Sequence, residues 1–112
     1  MPLDKAQLEE LKRLSPDLEV YEEGEMPYIL LPKLKLPAGC TPAEIDALLC
    51  PVLKDGYHSR LYFAQRIECG KALNWTVNGA SIINRIWHAY SWQLHRPRRL
   101  IEMVAEHLRA LR

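Results

Sequence analysis

The sequence predicts an α+β fold: an N-terminal helix, a four-stranded antiparallel meander, an irregular loop and a C-terminal helix. Three observations carry this. A capped amphipathic segment opens the chain and another closes it. Between them lie runs in which apolar and polar residues alternate. After those runs, residues 69–79 are rich in Gly and Asn and carry no period. Helices packed on one antiparallel sheet account for that order. With 112 residues, 48% hydrophobic and 26% charged, the chain reads as a single compact domain, 1–112, with one modest core.

The first helix is read over residues 4–14. Asp4 caps it, Gln7 stands at the third position, and Leu8, Leu11 and Leu14 share a face. Ser15-Pro16 ends it, because proline disfavours helical backbone in the residue before it. LEVYEE (18–23) is a first strand, Glu-Gly-Glu a turn, and PYILLPKLKLP a second strand in which Pro32 implies a bulge or an edge. Residues 41–52 read two ways. Thr41-Pro42-Ala43-Glu44 is a capping box that favours a short helix, yet EIDALLCPVL also suits a buried strand. Lys54-Asp55-Gly56 is a turn. SRLYFAQRIE (59–68) is the clearest strand, with Leu61, Phe63 and Ile67 opposed to Arg60, Tyr62 and Arg66. In ASIINRIWHAYSW, Ile82, Ile83, Ile86, Trp87 and Tyr90 make a helix-like face, and Pro97 opens the last helix through Leu111.

No apolar run approaches the roughly 18 residues needed to cross a bilayer, and the acidic, polar start MPLDKAQLEE does not read as a secretory signal. Three cysteines without a CxxC pair argue against a disulfide scaffold and a thiolate zinc site. They read as reduced thiols in a cytoplasmic protein, Cys40 and Cys50 in the core. The four histidines show no metal-ligand spacing, and nothing implies a metal, nucleotide or flavin cofactor. Net charge is +1, but residues 1–50 hold ten acids and five bases, while residues 51–112 hold four acids and ten bases, Arg96, Arg98 and Arg99 among them. Such a half attracts phosphates or an acidic partner.

The stretch Asn74-Trp-Thr-Val-Asn78-Gly79 follows Phe63-Ala-Gln-Arg66-Ile67, and Trp87 and Trp92 lie beyond it. In that order the chain resembles the ubiquitin-conjugating enzymes, in which a Phe-x-x-Arg-Ile strand precedes His-Pro-Asn, then Asn-Gly, the catalytic cysteine and a tryptophan. Aligned on Asn78-Gly79, Asn74 falls on the motif's asparagine, Ala72 and Leu73 replace His-Pro, and the cysteine position falls on Ile82 or Ile83. The closing helix matches over 98–111. The chain is also similar to a smaller bacterial group found beside ubiquitin-like proteins, activating enzymes and JAB-type peptidases. Its counterparts there are Leu36-Pro37-Ala38-Gly39-Cys40, Asp46-Ala47-Leu48-Leu49, Gly56-Tyr57 and Asn84-Arg85-Ile86-Trp87-His88-Ala89-Tyr90-Ser91-Trp92. The resemblance covers roughly residues 15–110, implies the conjugating-enzyme fold, and implies a strand at about 44–52.

The resemblance implies a component of a bacterial protein-tagging pathway, with a role in phage defence. Its partners would be a ubiquitin-like protein, an activating enzyme and a JAB-type peptidase, with no membrane. With no cysteine at the expected position, it implies a diverged member that acts by binding. Transferase chemistry would need another nucleophile: first Cys69, then Ser81 with His88 as the nearest base, and Asn74 as oxyanion donor. Asn74 and Asn78 equally suit a local turn. Trp75, Arg85, Trp87, His88 and Trp92 are candidate binding residues, since exposed aromatics beside arginine suit a protein interface. The alternative is a small nucleic-acid or anion-binding module, using the interleaved aromatic and basic residues 87–99. Nucleic acid is the less favoured partner, because the net charge is only +1 and no phosphate-binding loop occurs.

Overall fold

A computed structural model describes residues 3–52, 56–57, 59–94 and 99–111. The elements are α1 (Lys5–Leu11), β1 (Glu19–Glu23), β2 (Met26–Lys35), β3 (Glu44–Cys50), β4 (Arg60–Phe63), β5 (Trp75–Ile82), β6 (Arg85–Tyr90) and α2 (Leu100–Arg109). The six strands form one antiparallel sheet in the order β1-β2-β3-β4-β6-β5. This overturns the predicted architecture. A six-stranded sheet with two short helices is not a four-stranded meander closed by an irregular loop, and it is not the ubiquitin-conjugating-enzyme fold.

The difference lies in β5 and β6. The segment read as loop followed by helix is a hairpin, with Ile82 paired to Arg85 across the two-residue turn Ile83-Asn84. Both turn residues have positive φ, 46° and 64°, as hairpin turns that match the strand twist require. Trp87 and Ala89 point to one side of the sheet while Ile86 is 55% exposed on the other, an alternation of period two. The Asn-Gly pair, the strongest hairpin-turn signal in a sequence, lies inside β5. There it makes a register shift between Asn78 and Ala80, with Gly79 at φ 97°.

Local signals succeeded elsewhere. Asp4 Oδ1 accepts from the backbone N–H of Ala6 and Gln7, which sets the start of α1. Gly24 and Glu25, both with positive φ, make the tight β1–β2 turn. Beside Pro32, β2 shifts register between Leu31 and Leu34, with Lys33 at φ 54°. The ambiguous segment is strand β3, because both its faces are buried: Ala47 and Leu49 on one, Leu48 and Cys50 on the other. The capping box at Thr41 starts no helix; Thr41 instead bridges to Glu68. Strand β4 is shorter than expected and ends at Phe63. The turn at 54–56 lies partly outside the described residues, as do His58, His95, Arg96, Pro97 and Arg98.

Two cores result. On one face Ile29, Leu31, Leu49, Leu61 and Phe63 meet Leu11 of α1 and Leu100 and Val104 of α2. On the other, Tyr28, Leu30, Leu48 and Tyr62 surround Trp87, which is fully buried. The second core exists because the sheet coils on itself. Ile83 N–H at the hairpin tip donates to Glu23 Oε1 of β1 at 3.0 Å, and Arg85 holds Asp46 of β3 at 3.0 Å. Each fully buried large apolar side chain contributes about 1.5–3 kcal/mol, so closing this second face is a substantial part of the fold's stability. Tyr62 and Arg60, expected on a wet face, are buried for the same reason.

Candidate binding cleft

The loop between β4 and β5 walls an open cleft of about 810 Å³, lined by Arg66, Glu68, Cys69, Lys71, Leu73 and Trp75 among others. Its position follows from the early end of β4. After Phe63 the chain leaves the sheet, and Glu68 is caught by Thr41 through two backbone hydrogen bonds of 2.7 and 3.0 Å. At the far end Ser91 N–H donates to Asn74 O at 2.7 Å, where β5 begins. Residues 69–73 therefore span between two fixed points.

Aromatic packing holds up one wall. Trp75 meets Tyr90 edge-on at 5.4 Å and Phe63 at 6.3 Å, and Tyr90 stacks on Phe63 at 5.7 Å. The Arg66 guanidinium sits 5.5 Å from the Trp75 ring. Tyr90 Oη donates to the His107 carbonyl at 2.6 Å, which ties the cluster to α2. Burial pushes the Tyr90 hydroxyl well above the usual tyrosine range, with Cys69 and Cys40 adding to the effect, so it stays protonated and keeps the proton it donates to His107. Burial also pushes the Cys40 thiol up, reinforced by Cys69 beside it.

The sequence-derived candidates separate into groups. Cys69, half-buried, and Trp75 line the cleft; the exposed Asn74 adjoins it, fixed by its backbone. Ser81 is exposed on β5 and faces Ile86 across the hairpin, whereas His88 faces Asn78 and Phe63. No hydrogen bond joins Ser81 to a base among the described residues, and His88 Nδ1 is buried without a partner there. Among the described residues, Ser81 thus has no base in place to activate it as an oxyester nucleophile. Ile82, at the position expected for a cysteine, is 3% exposed, and Ile83 forms the hairpin tip. Trp87 is a core residue whose indole N–H donates to Ile82 O at 3.0 Å. Arg85 lies 4.7 Å from its ring and pairs with Asp46. Trp92, 38% exposed, remains at the surface.

Sequence reasoning placed Asp46 in a strand motif but gave it no role. Its carboxyl is held below the usual range, first by the Lys33 backbone N–H at 3.0 Å and then by Arg85, against the opposing effect of burial. Nor did it find Arg60, which is 4% exposed, lies 4.0 Å over the Tyr57 ring and donates to Thr76 Oγ1. A residue that alternation assigns to solvent gives no signal of burial when a second core covers it.

Among the described residues, no group of three or more His, Cys, Asp or Glu side chains is placed to hold a metal. No helix among them is long and apolar enough to cross a membrane. No protein-family model, curated protein or solved structure matches this chain.

Proposed function

We propose that this chain is a non-catalytic, cytoplasmic component of a bacterial ubiquitin-like conjugation pathway, and that it binds the extended C-terminal tail of the ubiquitin-like protein. The observation that carries the reading is one juxtaposition. An open cleft bearing Cys69 and Trp75 lies at the start of β5, an outer strand without a charged residue, while the position of the family's nucleophile falls on the buried Ile82 or the half-buried Ile83 at a hairpin turn. An outer strand offers unpaired backbone groups to an extended peptide. Arg66 and Lys71 beside it suit a chain that ends in a carboxylate. The link to the conjugation pathway is the sequence resemblance alone, in the order of Arg66-Ile67, Asn74, Asn78-Gly79 and Trp87, since the fold differs.

A nucleic-acid reading has less support. Arg85, Arg99 and Arg109 each pair with a carboxylate, of Asp46, Glu10 and Glu106. Trp87 and Tyr90 are buried, which leaves Trp92 as the exposed aromatic of that series among the described residues.

The test is calorimetric titration with a bacterial ubiquitin-like protein, intact and with its tail removed. Binding is expected for the intact protein, at least about tenfold weaker without the tail, and equally weakened by Arg66→Glu with Lys71→Glu. With activating enzyme and ATP, intact mass is expected to show no adduct. Binding indifferent to the tail, or a thiol-labile adduct on Cys69, would overturn the proposal.

A further inference from the structure

Thr41 and Glu68 exchange two backbone hydrogen bonds across their antiparallel bridge. Cys40 and Cys69 flank this isolated bridge on the same side, one residue before Thr41 and one after Glu68, and in a regular antiparallel ladder such a non-hydrogen-bonded pair has Cα atoms about 4.5 Å apart and side chains on one face. That separation falls within the range of roughly 4.4–6.8 Å that a disulfide spans. Cys69 adds to the upward shift of the Cys40 thiol, and both cysteines add to that of Tyr90, as neighbours do. Both are free. Their accessibilities differ: Cys40 is buried in the first core, whereas Cys69 lines the cleft. The third thiol, Cys50, belongs to the second core on the opposite face of the sheet.

We propose that Cys40 and Cys69 form a site of oxidative modification, in which a hydroperoxide entering the cleft converts the pair to a disulfide. In the first step the Cys69 sulfur attacks the peroxide; a sulfur–oxygen bond forms, the oxygen–oxygen bond breaks, and an alcohol (water, for hydrogen peroxide) leaves. Sulfur is oxidised to the sulfenic acid and the peroxide is reduced. In the second step the Cys40 sulfur attacks the Cys69 sulfur. A disulfide forms, the sulfur–oxygen bond breaks, and hydroxide leaves as water with the proton from Cys40. Two thiols and one hydroperoxide thus give one disulfide, one alcohol and one water.

The division of roles follows from burial. Cys69 is the thiol a small oxidant reaches, and Cys40, near it and largely buried, is the resolving thiol. Because the Cys40 thiol is pushed up by burial, the second step gains speed as pH rises. The product ties the loop after β4 to the segment before β3 and withdraws the thiol from the cleft. This inference is independent of the tail-binding reading, since it needs only the register and the cleft.

The experiment treats the full chain with an equivalent of hydrogen peroxide and follows it by intact mass and peptide mapping. The expected product is a monomer that has lost two hydrogens, yields a linked Cys40–Cys69 peptide and reverts with dithiothreitol. Cys40→Ser, checked for its fold by circular dichroism, should give a dimedone-trappable sulfenic acid at Cys69 and no disulfide. Cys50→Ser should behave as the parent. A disulfide that includes Cys50, an intermolecular Cys69 dimer, or overoxidation of Cys69 with Cys40 left as a thiol in the parent chain would overturn the assignment.

Discussion

Ser59 Oγ and His107 Nε2 share a buried hydrogen bond of 3.1 Å, joining the residue before β4 to the last turn of α2. Burial lowers the His107 pKa to about 4 from 6.5, the Arg60 charge adds to the effect, and hydrogen bonding to Ser59 opposes it. At neutral pH the imidazole is uncharged in both the folded and the unfolded chain. Below pH 6.5 the unfolded chain takes up a proton that the folded one refuses. Stability therefore falls as pH drops from 6.5 towards 4, by about 3 kcal/mol at most. Urea midpoints at pH 7 and pH 5 check this; His107→Gln is expected to lose most of the difference.

Asp46 joins three parts of the sheet: its own strand β3, the β2 bulge through Lys33 N–H, and the hairpin through Arg85. Asp46→Ala is expected to cost about 1–2 kcal/mol, because a backbone donor loses its partner. Arg85→Met should cost less, under about 1 kcal/mol, since both partners of that ion pair are more than a third exposed. Chemical denaturation of the two variants ranks them. The lowered Asp46 pKa adds stability above its ordinary value, and that stability is lost as pH falls below about 4, beneath the window set by His107.

Gly79 has φ 97° and open space around it; an added Cβ would come no closer than 4.0 Å, to Ile86 Cγ2. Gly79→Ala is thus disfavoured by backbone conformation and not by collision. A cost of about 1 kcal/mol is expected, read as a lower denaturation midpoint with an unchanged slope.

Ile83 is a β-branched residue in left-handed backbone, φ 46°. That conformation costs roughly 1–2 kcal/mol, which an asparagine largely avoids. Ile83→Asn, with Asn84 kept, is expected to stabilise the hairpin by about 0.5 kcal/mol. A thermal melt of the variant against the parent decides the sign.

What could be read from the sequence was local. Asp4 announced α1, Gly24 the first turn and Pro32 the bulge, because each acts within a few residues of itself. The hairpin was hidden for a physical reason. Its turn, Ile83-Asn84, lacks glycine, and its Asn78-Gly79 pair makes a bulge, which breaks the alternation that identifies a strand. Isoleucines and tryptophan at mixed spacing then imitate a helical face. The second core was hidden because its closure depends on Glu23, Asp46, Ile83 and Arg85 meeting in space. Among the site candidates, Cys69 and Trp75 line one cleft and Asn74 adjoins it, although the sequence offered Trp75 only as one of a tryptophan set with Trp87 and Trp92. Ser81 and His88 were near in sequence, but strand register turns them to different partners.

The contacts that close the molecule also set its folding kinetics. Glu23 meets Ile83 across 60 residues, Gln7 meets Leu100 across 93, and Ser59 meets His107 across 48. Little loop entropy can be recovered until such distant segments find each other. The chain should therefore refold slowly for its size, on a scale of roughly milliseconds to seconds. The β5–β6 hairpin, anchored to β4 at the Phe63–His88 pair, is placed to dock late. Until it does, Leu48, Tyr62 and Cys50 face water, and the nascent sheet has an apolar surface on which other proteins can condense.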